Sequence, residues 1–63
     1  MCQMNVMLEH DGQQETILEN ASVLEVIDDG VTVSALFEEP KTVKGARVKK
    51  IDFMSGTVTL SQD

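Results

Sequence analysis

Apolar and polar residues alternate along most of the chain, which is the pattern of half-buried β-strands. In the first segment Cys2, Met4, Val6 and Leu8 fall on one face, with mostly polar residues between them. The same period of two recurs further on, and it predicts strands over residues 2–10, 14–18, 23–27, 31–37, 42–44, 47–53 and 57–60. No segment has the spacing of an amphipathic helix, so the pattern indicates an all-β protein.

Turn signals separate these segments. Asp11-Gly12, Asp28-Asp29-Gly30 and Ser55-Gly56 each lie between two alternating runs, where a hairpin turn is expected. Asn20-Ala21 is expected to break the chain between the second and third strands. Six to seven short antiparallel strands with turns about every 8 to 12 residues predict a small barrel or a two-layer sandwich. We expect a single domain over residues 1–63.

The second half of the chain gives further expectations about its core. The fourth strand is expected to turn one set of side chains inward, namely Val31, Val33, Ala35 and Phe37. Pro40 is expected to end that strand, because proline has no N–H for a central ladder. Val48 and Ile51 are core candidates, and their spacing of three predicts a bulge or a single 3₁₀ turn. Val58 and Leu60 are expected to face inward from the last strand.

Charge is distributed unevenly along the chain. The net charge is −6, yet all five basic residues fall within residues 41–50, and no Lys or Arg precedes them. The favoured interpretation is that this basic segment lies across acidic strands and neutralises them. The alternative is a recognition patch for RNA, but the acidic balance and the presence of only two aromatic residues argue against nucleic-acid binding.

The residues that could carry catalysis are few. The single cysteine, Cys2, and the single histidine, His10, are eight residues apart on one predicted strand, about 3.3 Å per residue, which excludes a Cys–His pair within one chain. There is no phosphate-binding loop and no CxxC pair. We therefore expect a protein that is not an enzyme. No signal peptide and no membrane span are expected, and one reduced cysteine is typical of a cytoplasmic protein.

Cys2 is the candidate metal ligand. Its thiolate suits soft and borderline metals, and with the nearby backbone or terminal nitrogens it would favour the square-planar set of Ni(II) or Cu(II). One chain supplies only two or three donors, so a twofold dimer would complete the site. Spacing alone favours the other role, a small buried side chain in phase with Met4, Val6 and Leu8. His10, beside a turn, is expected to be a turn residue and not a ligand.

Several stretches resemble the CooT family of small nickel-binding proteins across nearly the whole chain. They are the opening Met1-Cys2-Gln3-Met4-Asn5-Val6, the run Val23-Leu24-Glu25-Val26, the run Val33-Ser34-Ala35-Leu36-Phe37-Glu38-Glu39, and the final Ile51-Asp52-Phe53-Met54-Ser55-Gly56-Thr57-Val58-Thr59-Leu60. The resemblance implies a cytoplasmic homodimer that binds Ni(II) through Cys2 and acts like a metallochaperone. It also implies a link to carbon monoxide dehydrogenase maturation, with a nickel enzyme or its maturation proteins as partners. A small RNA-binding module and a plain dimerisation domain with Cys2 in its core are the alternatives.

Overall fold

The computed structural model describes residues 3–62, which form seven β-strands in two stacked sheets. The expected all-β class is confirmed, and of the two expected architectures the sandwich is the one found. The strands are β1 (Met4–His10), β2 (Gln13–Ala21), β3 (Val23–Ile27), β4 (Gly30–Ala35), β5 (Glu38–Lys44), β6 (Arg47–Asp52) and β7 (Thr57–Ser61).

The first hairpin forms where the sequence predicts it. Asp11 and Gly12 both have positive φ, 54° and 77°, which is the requirement of a tight turn between twisted antiparallel strands. The return strand β2 is longer than expected, because it continues through Asn20 and Ala21. Asn20 takes a left-handed φ of 59° and its N–H donates to the side-chain oxygen of Asn5, so the expected break is an irregularity within a continuous strand.

The four-stranded sheet has the order β2-β1-β7-β6, and the three-stranded sheet has the order β3-β4-β5. All neighbouring strands are antiparallel as expected, with one exception: β1 and β7 run parallel, with Val6 opposite Val58 and Leu8 opposite Leu60. A parallel pair needs a long crossover between its strands. Here the connection consists of β2, the whole three-stranded sheet and β6, which is why local alternation cannot reveal it.

The β4–β5 connection differs from the prediction. β4 ends at Ala35, and Leu36 and Phe37 form the turn, so Phe37 does not enter the core. Pro40 does not end a strand either; it lies inside β5, where the β4–β5 register is irregular. β5 is an edge strand, and an edge tolerates a proline because one side of its backbone needs no partner.

β6 also departs from the expected inward pattern. The predicted bulge is confirmed by a register shift between Val48 and Lys50. Val48 packs against the core. Ile51 pairs with the buried Val58 and so lies on the same face, but it is 48% exposed because β6 is the outer strand of its sheet.

The core lies between the sheets and consists almost wholly of aliphatic side chains. Its fully buried members come from strands of both sheets and are Val6, Val31, Val33 and Leu60. Leu8 and Val58 are also buried, and Met4 is half-buried against them, as the alternation predicts. The central parallel pair β1–β7 therefore supplies much of the core.

Candidate functional site

The predicted metal ligand, Cys2, lies outside the described residues, so the site is defined by what surrounds Gln3 and the beginning of β1. The N–H of Asn5 donates to the carbonyl oxygen of Gly56 over 2.8 Å, which joins β1 to the β6–β7 turn. On the other side, the N–H of Asn20 donates to Oδ1 of Asn5 over 3.2 Å. The start of β1 is thus held between the end of β2 and the β6–β7 turn.

A concave surface opens beside Gln3, and we call it the chain-start cavity. Its volume is about 240 Å³. Three parts of the chain line it: Gln3 itself, Glu19 and Asn20 near the end of β2, and Leu36, Phe37 and Glu38 at the β4–β5 turn. The cavity therefore joins both sheets at the end of the molecule where β1 begins.

Two carboxylates, those of Glu19 and Glu38, make the chain-start cavity acidic. Such a surface raises the local concentration of cations. Among residues 3–62, however, no three His, Cys, Asp or Glu side chains come close enough together to hold a metal ion. The described part of one chain can attract a cation here, but holding it requires further donors.

Four large apolar side chains stand exposed around the same end of the molecule. Leu36 is 71% exposed and Phe37 97% on the β4–β5 turn, while Phe53 is 82% exposed and Met54 98% on the β6–β7 turn. The two turns flank Gln3, which lines the cavity with Leu36 and Phe37 and whose carbonyl oxygen faces Gly56. We call Leu36, Phe37, Phe53 and Met54 the apolar end surface. Period-two patterning missed it, because turn residues have no alternating face.

Asp52 organises the turn that carries half of this surface. Its Oδ1 accepts hydrogen bonds from the backbone N–H groups of Met54, at 3.0 Å, and Ser55, at 3.1 Å. The hydrogen bond from the Ser55 backbone is the main reason that the pKa of Asp52 lies below its ordinary value, and the Lys50 charge adds to it. The ionised carboxylate therefore holds the β6–β7 turn in shape.

His10 lies at the opposite end of β1 from the chain start. Six residue steps at about 3.4 Å separate Met4 from His10 along the strand, about 20 Å in all. The imidazole Nε2 is 3.3 Å from Asp11 Oδ2 at the first hairpin turn. Within one chain, His10 is not brought together with the chain-start cavity.

The basic segment makes contacts with the four-stranded sheet. Lys49 on β6 forms an ion pair with Glu9 on β1, reaching across β7. Lys41 on β5 donates from Nζ to the carbonyl oxygen of Ile17 on β2, over 2.9 Å. These contacts are of the kind expected if the segment offsets acidic strands, and they occupy two of the cations that an RNA-binding patch would use.

The comparisons with known proteins come from sequence and from structure. The family model of CooT, described as the CO dehydrogenase accessory protein CooT, matches residues 1–61. A crystal structure of a protein from Carboxydothermus hydrogenoformans described as CooT matches with a TM-score of 0.84, at 18% identity, over 98% of each chain. No curated protein matches. Within residues 3–62 there is no helix of the length and apolarity needed to cross a bilayer.

Proposed function

Because the chain belongs to the CooT family of CO dehydrogenase accessory proteins, we propose that it is a homodimeric, metallochaperone-like nickel carrier whose Ni(II) is held by the Cys2 thiolates of two copies. The observation that carries the proposal is the family match, which includes the segment that contains Cys2. The family description names an accessory protein of an enzyme and not an enzyme itself. Nickel is accordingly the cargo of this protein, intended for carbon monoxide dehydrogenase or its maturation proteins.

The donor chemistry supports a site shared by two chains. A thiolate is a strong ligand for Ni(II), and nitrogen and sulfur donors suit its square-planar geometry. One cysteine cannot complete such a set, and residues 3–62 add no cluster of His, Cys, Asp or Glu. Since a twofold axis presents the same residue from both subunits, a dimer doubles the thiolates without any further cysteine in the sequence.

The electrostatics around the chain start support a cationic cargo. Glu19 and Glu38 line the chain-start cavity beside Gln3, the residue that follows Cys2. Their negative field would draw a divalent ion towards the thiolates and would favour its capture at low concentration. The same carboxylates are not themselves a closed metal cage, which is consistent with a carrier that gives up its ion.

The apolar end surface supports a dimer in which the second copy binds at this end of the molecule. Leu36, Phe37, Phe53 and Met54 lie on the two turns that flank Gln3. Aromatic and Met side chains are enriched in the cores of protein interfaces. If two copies meet through this surface, their chain starts come together at the dimer axis. The apolar contact and the metal site would then stabilise the same assembly.

The decisive experiment is titration of the protein with NiCl₂, followed by native mass spectrometry and calorimetry. We expect one Ni(II) per two chains together with thiolate-to-nickel absorbance, and loss of both in Cys2→Ser. His10→Ala is the matched control, because it removes the one imidazole at the far end of β1 and should leave nickel binding unchanged.

Two outcomes would contradict the proposal. Unchanged nickel affinity in Cys2→Ser would remove the thiolate from the site. A dimer that forms but takes up no nickel would instead favour the plain dimerisation domain with Cys2 in its core.

A further inference from the structure

Each of the two sheets ends in two outer strands, and these four edges differ in how they are protected. The outer strands are β2 and β6 in the four-stranded sheet, and β3 and β5 in the three-stranded sheet. An outer strand leaves backbone N–H and C=O groups unpaired along one side, which can pair with a strand from another chain. Proteins prevent this with proline, lysine and bulges along their edges.

Three of the four edges carry such devices. β5 contains Pro40 and Lys41 and pairs irregularly with β4. β6 contains three bases, Arg47, Lys49 and Lys50, together with a bulge. β2 pairs with β1 through two register shifts and takes a left-handed φ at Asn20. These strands are poorly suited to accept a further strand.

β3 has none of these devices. Its sequence, Val23-Leu24-Glu25-Val26-Ile27, contains no proline and no base, and its pairing with β4 is regular from Val23 opposite Ser34 to Ile27 opposite Gly30. It is also apolar and open, since Val23 is 55% exposed and Val26 70% exposed. An apolar and regular outer strand is the type of edge at which strand addition occurs.

A groove beside β3 adds a place for a side chain. It has a volume of about 90 Å³ and is lined mainly by apolar groups, among them Met4, Val23, Leu24 and Val58. Leu24 and Val26 stand opposite the buried Val33 and Val31 on β4, so they share the core-facing side of the sheet. An added strand would therefore find both a free backbone edge and an apolar groove next to it.

From this contrast we propose that the β3 edge binds an extended segment of a partner protein, one with alternating apolar residues and a Lys or Arg placed opposite Glu25. Backbone hydrogen bonds to β3 would supply affinity, and the groove would select an apolar side chain. The charge requirement follows from the edge itself, because its charged residues are Glu25 on the strand and Asp28 and Asp29 in the turn that follows. The strand addition proposed here requires neither Cys2 nor nickel, although Met4, which lines the groove, is only two residues from Cys2 in the sequence.

A second copy of this chain fits the β3 edge less well. The antiparallel register that pairs all five residues of one β3 with all five of another is centred on Glu25. It would set the two Glu25 carboxylates directly opposite each other, and directly opposed like charges destabilise a strand pair. A foreign strand with a basic residue at that position turns the repulsion into attraction.

The test uses a synthetic peptide of alternating Val and Thr residues with one central Lys, titrated to millimolar concentration into the ¹⁵N-labelled full chain. We expect amide shifts confined to β3 and the groove. A peptide with N-methyl groups on alternate amides should not bind, since it cannot continue the ladder. Cys2→Ser should bind the peptide as the unchanged protein does, which separates this result from the nickel site.

Three variants make the interpretation specific. Val26→Lys places a charge on the core-facing side of the exposed edge and should abolish binding, whereas Val26→Thr, which keeps the β-branched shape, should retain it. Glu25→Lys should bind a peptide with central Glu more tightly than the peptide with central Lys, by up to about fivefold in affinity. Absence of β3 shifts, equal binding of the N-methylated peptide, or peptide-independent pairing of β3 between two copies would overturn the proposal.

Discussion

Gly30 shows how the absence of one side chain allows the three-stranded sheet to form. The sequence pattern predicts Asp29-Gly30 as the centre of a hairpin turn with positive φ at both positions. In the structure Gly30 is instead the first residue of β4, opposite Lys44 on β5. A Cβ added at Gly30 would overlap the carbonyl oxygen of Val43 and lie 3.1 Å from the Gly45 backbone nitrogen, so the glycine is required by close approach of two strands.

We therefore expect Gly30→Ala to be one of the most destabilising single substitutions in the chain. The clash is with the backbone of residues 43–45, which cannot rotate away as a side chain could. Relieving it would separate β4 from β5, with an expected cost of about 3 kcal/mol. Gly12→Ala is the matched control: its φ is +77° and nothing lies near the added Cβ, so the expected cost is about 1 kcal/mol. Urea unfolding measures the free energy of unfolding of both variants. Equal losses would show that β4 and β5 can move apart at little cost.

At the scale of single elements, alternation predicts strands well and strand ends poorly. The alternating faces of β1 and β7 place Val6, Leu8, Val58 and Leu60 in the core as expected. The pattern was wrong at Phe37, because the strand had already ended two residues earlier and the chain was turning. Alternation assigns a side to each residue, but it contains no information about where hydrogen bonding to a neighbouring strand stops.

The β6–β7 turn gives a prediction about a single charge. Asp52 has a lowered pKa because its carboxylate accepts hydrogen bonds from Ser55 and Met54, so the folded turn favours the ionised form. A lowered folded-state pKa means that the stabilisation is complete above the ordinary value of 3.8 and is lost as the pH falls through the folded-state pKa. We expect the amide signals of Met54 and Ser55 to shift together in that acidic range.

Asp52→Asn and Asp52→Ala separate the charge from the hydrogen bond. Asn keeps an acceptor oxygen, so the turn should remain formed while the acidic transition of its amides disappears. Ala removes the acceptor and should broaden or shift the amides of residues 53–56 at every pH. Retention of the same acid titration in Asp52→Asn would assign it to another carboxylate.

At the scale of the whole molecule, the sequence predicts the candidate ligand but not its surroundings. Cys2 is recognisable because thiolate chemistry and the family resemblance both single it out. The chain-start cavity is formed by Gln3, the end of β2 and the β4–β5 turn, which are far apart in the sequence. Only the folding of two sheets against each other, with β1 and β7 parallel, brings these segments to one end. Such a convergence cannot be read from local periodicity.

The proposed dimer gives the last prediction, since it requires the apolar end surface to be buried between two copies. Phe37 is 97% exposed in the single chain, and an aromatic side chain buried at the centre of an interface contributes about 2 kcal/mol or more, so Phe37→Ser should weaken self-association by about 30-fold. The folded chain should lose little stability, because Phe37 lies in a turn outside the core. Sedimentation equilibrium measures the dissociation constant, with Val26→Lys on the β3 edge as a control that should dimerise normally. If Phe37→Ser still dimerises normally but Val26→Lys does not, the two copies meet through β3, and the thiolates of Cys2 would need another route to a shared ion.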